Sequence, residues 1–374
     1  MIAIRYLLLI SVILGCSLER TESLPPSDEV HFPASVLPIP GIGRALVMST
    51  VIDRAYTVGQ ISVFNPDETP SLSSVIISGL FGGQLSLSYS PSRERQFVVV
   101  PTRDNDLVEL YALDVNGDLA LARRNTYSSF GSQPMARGPM STLALDHGFL
   151  IGHPVSSTVS YWRLDDEDEE LDYGCSVQIP GGVGYFDVHP VTGEIYITSQ
   201  FSRTISVVRV ENAGWLGDPS SRTCRIVLVR AFDGRGTNHH DLSFSSDGSR
   251  LYVSGLNDGD IKMFDTAPDT FGVPADRLVR RTWLGEEATM ITLDKTGTSV
   301  FVAMMKDKQV VQLDGESLLV QSVIETEGNP YDLAFVESDS NSLLAITYFD
   351  QHEVGVFQAV APYKFEPYLL EDRQ

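Results

Sequence analysis

Asp241-Leu242-Ser243-Phe244-Ser245-Ser246-Asp247-Gly248-Ser249-Arg250-Leu251-Tyr252-Val253-Ser254 reads as a strand, a turn and a second strand. Leu242 and Phe244 alternate with polar residues, which is the two-residue period of a β-strand. Ser-Ser-Asp-Gly makes the hairpin, with Gly248 able to take a positive φ. Leu251-Tyr252-Val253 begins the return strand. Asn257-Asp258-Gly259 turns the chain again, Ile261 to Phe264 forms a third strand, and Leu278 to Trp283 forms a fourth. The stretch describes one antiparallel module of four strands.

The module recurs. Its strand–turn–strand grammar returns at Met290 to Val302 and at Phe186 to Ile197, and less cleanly around Leu333-Ala334-Phe335, Leu143-Ala144-Leu145 and Leu87-Ser88-Tyr89. Its third strand has seven copies, beginning at Gln60, Asp106, Thr158, Thr204, Asp260, Gln309 and His352, and successive copies lie 43 to 56 residues apart. That is the period of propeller blades. Each copy alternates apolar and polar residues, as in a strand buried on one face. The predicted fold is all-β: a seven-bladed β-propeller of four-stranded blades over 36–80, 84–128, 141–179, 185–231, 240–284, 289–326 and 331–370.

These units resemble the YVTN-type repeats of bacterial seven-bladed propellers, a group that includes a lactonase-like branch. The resemblance covers roughly residues 35–370. It implies the architecture and leaves activity open, because one fold hosts many functions. Blade 1 fits least well. Its inner strand falls between Phe32 and Leu37, beside Pro33, Pro38 and Pro40, and central strands tolerate proline poorly. Ring closure by a strand borrowed from the other terminus is the alternative. The run Lys364 to Leu370 is expected to supply the last outer strand. The longer insertion Tyr127 to Met140, between blades 2 and 3, is a candidate lid or partner contact.

Acidic residues number 49 against 27 basic ones. That excess excludes nucleic acid, whose phosphates need concentrated positive charge. It also disfavours docking on an anionic membrane surface. Arg5, the apolar run Tyr6 to Leu14 and then Ile13-Leu14-Gly15-Cys16 resemble a bacterial lipoprotein signal, and the run is too short to span a bilayer. The resemblance implies cleavage of residues 1–15, acylation (palmitate among the chains) of Cys16, and a lipidated tether over 16–35 ahead of a propeller at 36–370. Ser17 then favours the outer membrane. Several acyl chains anchor a protein far better than one. Cys175 and Cys224 fall on outer strands of consecutive blades. Export permits a disulfide, but outer strands diverge from the axis, so two separate half-buried thiols are expected, with the Cys175–Cys224 bridge as the alternative.

Propeller geometry places the outer-to-inner links, and the loops between second and third strands, on one face around the axial channel. His239, His240, His153 and His352 map there, four of the seven histidines. Asn329-Pro330-Tyr331-Asp332 aligns with Asn238-His239-His240-Asp241, and Tyr185 opens blade 4 in nearly the same place. A His-His-Asp step could hold a divalent metal or a general base. Against this, neighbouring residues of a strand point to opposite faces, so His239 and His240 do not share a ligand easily. Tyr331-Asp332 fills the equivalent place without a metal ligand. Arg203 and Arg235 are the favoured anion contacts, among other loop charges including Arg54, Arg103, Asp104 and Asp258. The acidic run Asp165 to Glu170 and the fragment Asp114-Val115-Asn116-Gly117-Asp118 lack the ligand spacing of calcium loops and read as turns. No phosphate loop, Gly-x-Ser-x-Gly elbow or haem-attachment motif occurs.

The expectation is a lipid-anchored monomer of the cell envelope that binds an envelope protein or a small ligand, with no resident cofactor or metal. The alternative is a lactonase-like hydrolase using His240, Asp241 and Arg235. A second alternative is a metal-binding or redox propeller.

Overall fold

A computed structural model describes residues 23–368 apart from 28, 54, 67–72, 78, 91–94, 115–119, 129–136, 166–169, 212–223, 338–341 and 362. The described residues form seven four-stranded antiparallel sheets, each a meander in sequence order. They span 33–76, 86–128, 141–178, 186–233, 239–283, 288–325 and 330–367. Blade 5 contains His239–Phe244, Arg250–Gly255, Asp260–Asp265 and Arg277–Trp283, as its hairpin signals predicted. Among the described residues the one helical turn is the 3-10 segment Pro154–Ser156.

The core lies between blades rather than inside a single layer. Val98 and Val100 of blade 2 pack on Ile39, Leu46 and Met48 of blade 1. Their neighbours Phe97 and Val99 pack on Phe149 and Ile151 of blade 3. Strand alternation therefore serves two interfaces at once. The third strands depart from the one-sided pattern expected of them. Their polar alternates Ser62, Glu109, Ser160, Ser206 and Lys262 are buried as well, because the next blade covers that face.

The ring closes by packing, without strand exchange. Blade 1 builds its own inner strand, Pro33–Ile39, and blade 7 ends on Lys364–Pro367. Ala334, Val336 and Ala345 of blade 7 pack on Val36, Ala45 and Val47 of blade 1. The prolines are accommodated because this strand is the edge of its sheet, and its register breaks between Pro33 and Ser35.

Cys175 and Cys224 are joined by a disulfide, with Cα atoms 5.5 Å apart. This corrects the expectation of separate thiols. Gly174 is an extra residue in the outer strand of blade 3, between the partners of Tyr161 and Trp162. Outer strands of blades 3 and 4 are in contact there, within bridging reach. Residues 1–22, including Cys16, lie outside the described residues. So do Arg54, residues 115–119 of the Asn-Gly turn, 166–169 of the acidic hairpin, and 129–136 of the insertion.

Candidate functional site

The inner strands break register where they enter the channel. The shifts fall between His239 and Leu242, Ala288 and Ile291, and Pro330 and Leu333. A second-strand hydroxyl fills the openings of blades 5 and 7, and another makes the same bond where the inner strand of blade 4 begins. Ser254 Oγ accepts from the Asp241 N–H (2.9 Å), Thr347 Oγ1 from the Asp332 N–H (2.9 Å) and Thr198 Oγ1 from the Tyr185 N–H (2.8 Å). Ser254 and Thr198 then donate to carbonyls of the next blade, at Thr289 and His240. These arrangements hold Tyr185, His240, Asp241, Tyr331 and Asp332 around the axis.

Above them lies a mouth of about 630 Å³, a size suited to a small-molecule ligand. Tyr185, Tyr331 and Asp332 form part of its floor. Arg103, Asp104 and Asp106 come from the second-to-third-strand loop of blade 2. Arg137, Gly138 and Met140 come from the described end of the insertion. Its apolar wall includes Ile52, Phe81, Val155, Met290 and Phe349. Asp104 accepts from the Leu80 N–H (3.0 Å) and Asp106 from the Gly138 N–H (2.6 Å), so both carboxylates hold the loops in place. Among the described residues no carboxylate pairs with the Arg103 guanidinium.

The floor is a chain of neutral polar rings. Tyr185 and Tyr331 bring their hydroxyls to 3.3 Å, and the Tyr331 hydroxyl lies 3.4 Å from His240 Nε2. Phe349 stacks on Tyr331 at 4.8 Å between centroids. Burial pushes His240 down to about 4, so its imidazole is neutral near pH 7. Burial raises both phenols, and the Arg103 charge opposes this at Tyr331. Both tyrosines keep their protons at neutral pH and can donate.

Below the mouth a second cavity, of about 220 Å³, continues along the axis and is lined by Asp187, Asp241 and Asp332. Each carboxylate ties one blade to the next. Asp187 accepts from the Phe244 N–H (2.9 Å), Asp241 from the Ile291 N–H (2.8 Å) and Asp332 from the Val36 N–H (2.9 Å). Burial, opposed by these bonds, lifts Asp187 and Asp332 to about 6 and holds Asp241 well above the usual carboxylate range.

Of the residues predicted from sequence, Tyr185, Tyr331 and Asp332 line the mouth, and His240 sits directly behind the two tyrosines. The trio His240, Asp241 and Arg235 does not assemble. Arg235 and Arg203 both reach Asp233 (3.5 and 3.1 Å) on the exposed seam of blades 4 and 5, outside the mouth lining. His239 turns into its blade and meets the Gly234 carbonyl at 2.9 Å; burial first, then the Lys262 charge, lowers it to about 4. His153 is fully buried against Ser160 Oγ (2.8 Å) and pushed down to about 3. His352 stacks on His31 at 4.2 Å across the seam of blades 7 and 1, where His31 also comes within 3.6 Å of Asp53. Among the described residues no three His, Cys, Asp or Glu side chains converge to hold a metal.

Arg103 was visible in the sequence only as one loop charge among several. Arg137 and Met140 were singled out only as part of the 127–140 insertion, the candidate lid or partner contact, whereas Phe81, Met290 and Phe349 were not, although the places of Phe81 and Phe349 in loops of the axial face were a usable signal.

Comparison of the sequence with protein-family profiles and with curated proteins gave no match. Solved structures do match. A Bacteroides fragilis protein named as a 6-phosphogluconolactonase aligns at a TM-score of 0.69 and 13% identity, over 89% of this chain and 96% of its own. A Bacteroides uniformis protein named likewise gives 0.64 and 17%, over 87% and 95%. A periplasmic gluconolactonase of Pseudomonas aeruginosa gives 0.65 and 15%, over 87% and 95%. At these identities the likeness speaks for the fold. The chain is a seven-bladed β-propeller, similar in fold to these three proteins.

Proposed function

We propose that this protein is a small-ligand-binding propeller of the cell envelope, with the axial mouth as its binding site. One observation carries the reading. Arg103, with no carboxylate partner among the described residues, stands over a floor of hydroxyl donors in a cavity of about 630 Å³. An unpaired guanidinium in a concave site suits an anionic ligand group. Screening a small-molecule library by thermal shift tests it. Hits should lose their shift in a variant whose mouth is filled, Ile52→Trp with Val155→Trp. Hits that persist in that variant bind elsewhere, and the reading fails.

Hydrolysis of a cyclic ester is the second reading. It is favoured by the neutral His240 behind the Tyr331 hydroxyl and by the names of the structural neighbours. In it Arg103 would stabilise the developing oxyanion, while Tyr331 and His240 would pass the proton. Asp241 and Asp332, tied to backbone amides, have no part in this scheme. A panel of lactones tests it, and hydrolysis that survives both Tyr331→Phe and His240→Ala rules out this machinery.

The envelope setting is part of the proposal. Acylated Cys16 and a tether over 16–35 would hold a monomeric propeller (36–370) at the outer membrane, with no part for nucleic acid. The Cys175–Cys224 disulfide supports an oxidising compartment. Among the described residues no helix is long and apolar enough to cross a membrane. Loss of membrane association and of lipid labelling in Cys16→Ser is the expected outcome.

A further inference from the structure

We infer that the mouth selects a ligand with an apolar body and a single anionic head, such as a medium-chain or aryl-alkyl carboxylate, rather than a polyhydroxylated acid. The inference rests on the proposed reading of the mouth as a ligand site and specifies its chemistry.

The walls decide the class. Phe81, Met140, Met290 and Phe349 reach the cavity from four separate segments of the ring, and Ile52 and Val155 line it too. Ile52 is 38% and Val155 61% exposed. Exposed aliphatic side chains lining a cavity gain by enclosing apolar surface. A polyol placed there would need a partner for every hydroxyl it desolvates. Among the described residues the wall offers few, and Ser35 and Gln84 lie where the mouth meets the channel. Thr50 already donates to the Phe32 carbonyl (3.1 Å), and Asp104 and Asp106 are engaged by the Leu80 and Gly138 amides. The Tyr185 and Tyr331 hydroxyls sit together at one place on the floor. Among the described residues, Arg103 and Arg137 bring the positive charge of the lining. Arg103 comes from a single loop, close enough to Tyr331 for its charge to act on that phenol. In a chain of formal net charge −22, such a cation is a selective point of attraction for one anionic group. Polar recognition is thus concentrated at one end of an otherwise apolar enclosure, the arrangement that matches an amphiphilic anion.

Isothermal titration of the purified protein with a matched set tests the inference: hexanoate, gluconate, hexan-1-ol and octanoate. Hexanoate and gluconate share six carbons and one charge and differ in body. Hexanoate should bind at least tenfold tighter than gluconate. Two added methylenes should tighten octanoate over hexanoate by about an order of magnitude. Arg103→Gln should weaken octanoate about tenfold or more and leave hexan-1-ol unchanged. Gluconate binding as tightly as hexanoate, or absence of a chain-length effect, overturns the apolar-body class. If that gluconate binding is lost in the Ile52→Trp, Val155→Trp variant, the mouth stands as the site and only the ligand class falls. No binding by any of the four also overturns the class, and the library screen then judges the mouth separately.

Discussion

The mouth and the channel beneath it share Ser35, Gln84, Met290 and Asp332 as lining residues, and carboxylates bind backbone amides in both, yet the mouth holds a cation that is not committed in this way. In the channel the carboxylates of Asp187, Asp241 and Asp332 each accept a backbone N–H from the neighbouring blade. In the mouth Arg103 has no carboxylate partner among the described residues, and two phenols and an imidazole meet at 3.3 and 3.4 Å. A buried polar group committed to its own backbone is part of the scaffold, because withdrawing it strands an amide. A cation left unpaired at the edge of a cavity is available to something else. The comparison moves functional weight from the inner-strand aspartates, which looked chemical in sequence, to a loop arginine that looked ordinary.

The sharpest way to break this comparison is Asp241→Ala. It strands the Ile291 N–H in the channel wall and is expected to cost about 2–3 kcal/mol of stability, read as a lower denaturant midpoint. No change in midpoint would deny the carboxylate its scaffold role.

Protonation provides a second probe. Asp332 is raised to about 6 in the fold against about 3.9 in an unfolded chain. The folded state therefore favours the protonated acid. The stability this contributes is fully present below pH about 4 and is lost as pH rises through about 6. Asp332→Asn lacks that titration. Relative to the parent, the variant should gain about 2–3 kcal/mol between pH 4 and pH 7.5. A constant difference across that window would show that Asp332 titrates normally.

On the mouth side the effects on stability are smaller. Tyr331→Phe removes the hydroxyl shared with Tyr185 and His240 and should cost about 1 kcal/mol in thermal or denaturant melts. A loss above about 3 kcal/mol would make the phenol a scaffold element like the aspartates. Arg235→Ala is the smallest. Its pair with Asp233 is more than half exposed on the arginine side, so stability should change by under about 0.5 kcal/mol and ligand binding not at all. A binding defect in that variant would return the seam of blades 4 and 5 to consideration as part of the site.

Much of the architecture was legible because it is carried by short-range pattern. The hairpin Ser245-Ser246-Asp247-Gly248 closes as predicted, with Gly248 at φ +71°. The repeat of third strands at propeller spacing required only that each module be locally strand-like. What escaped involves a neighbouring blade. Lys262 and Glu109 look like solvent-facing alternates, but adjacent blades bury them. Arg203 and Arg235 look like anion contacts, but both face Asp233. Cys175 and Cys224 look too far apart on diverging strands, but the extra residue at Gly174 accompanies an outer-strand contact that brings their Cα atoms to 5.5 Å.

Alternation of apolar residues and the placement of Gly, Asn and Asp turns determined from sequence alone that seven antiparallel modules form and follow one another. Such signals act within a few residues, and each hairpin satisfies most of its own hydrogen bonds. Which side chains meet over the axis was decided only by the closed ring. The approach of Tyr185 in blade 4, His240 in blade 5 and Tyr331 in blade 7 spans as many as 146 residues of chain. It exists only because packing of blade 7 on blade 1 completes the circle and directs every inner strand toward a common centre.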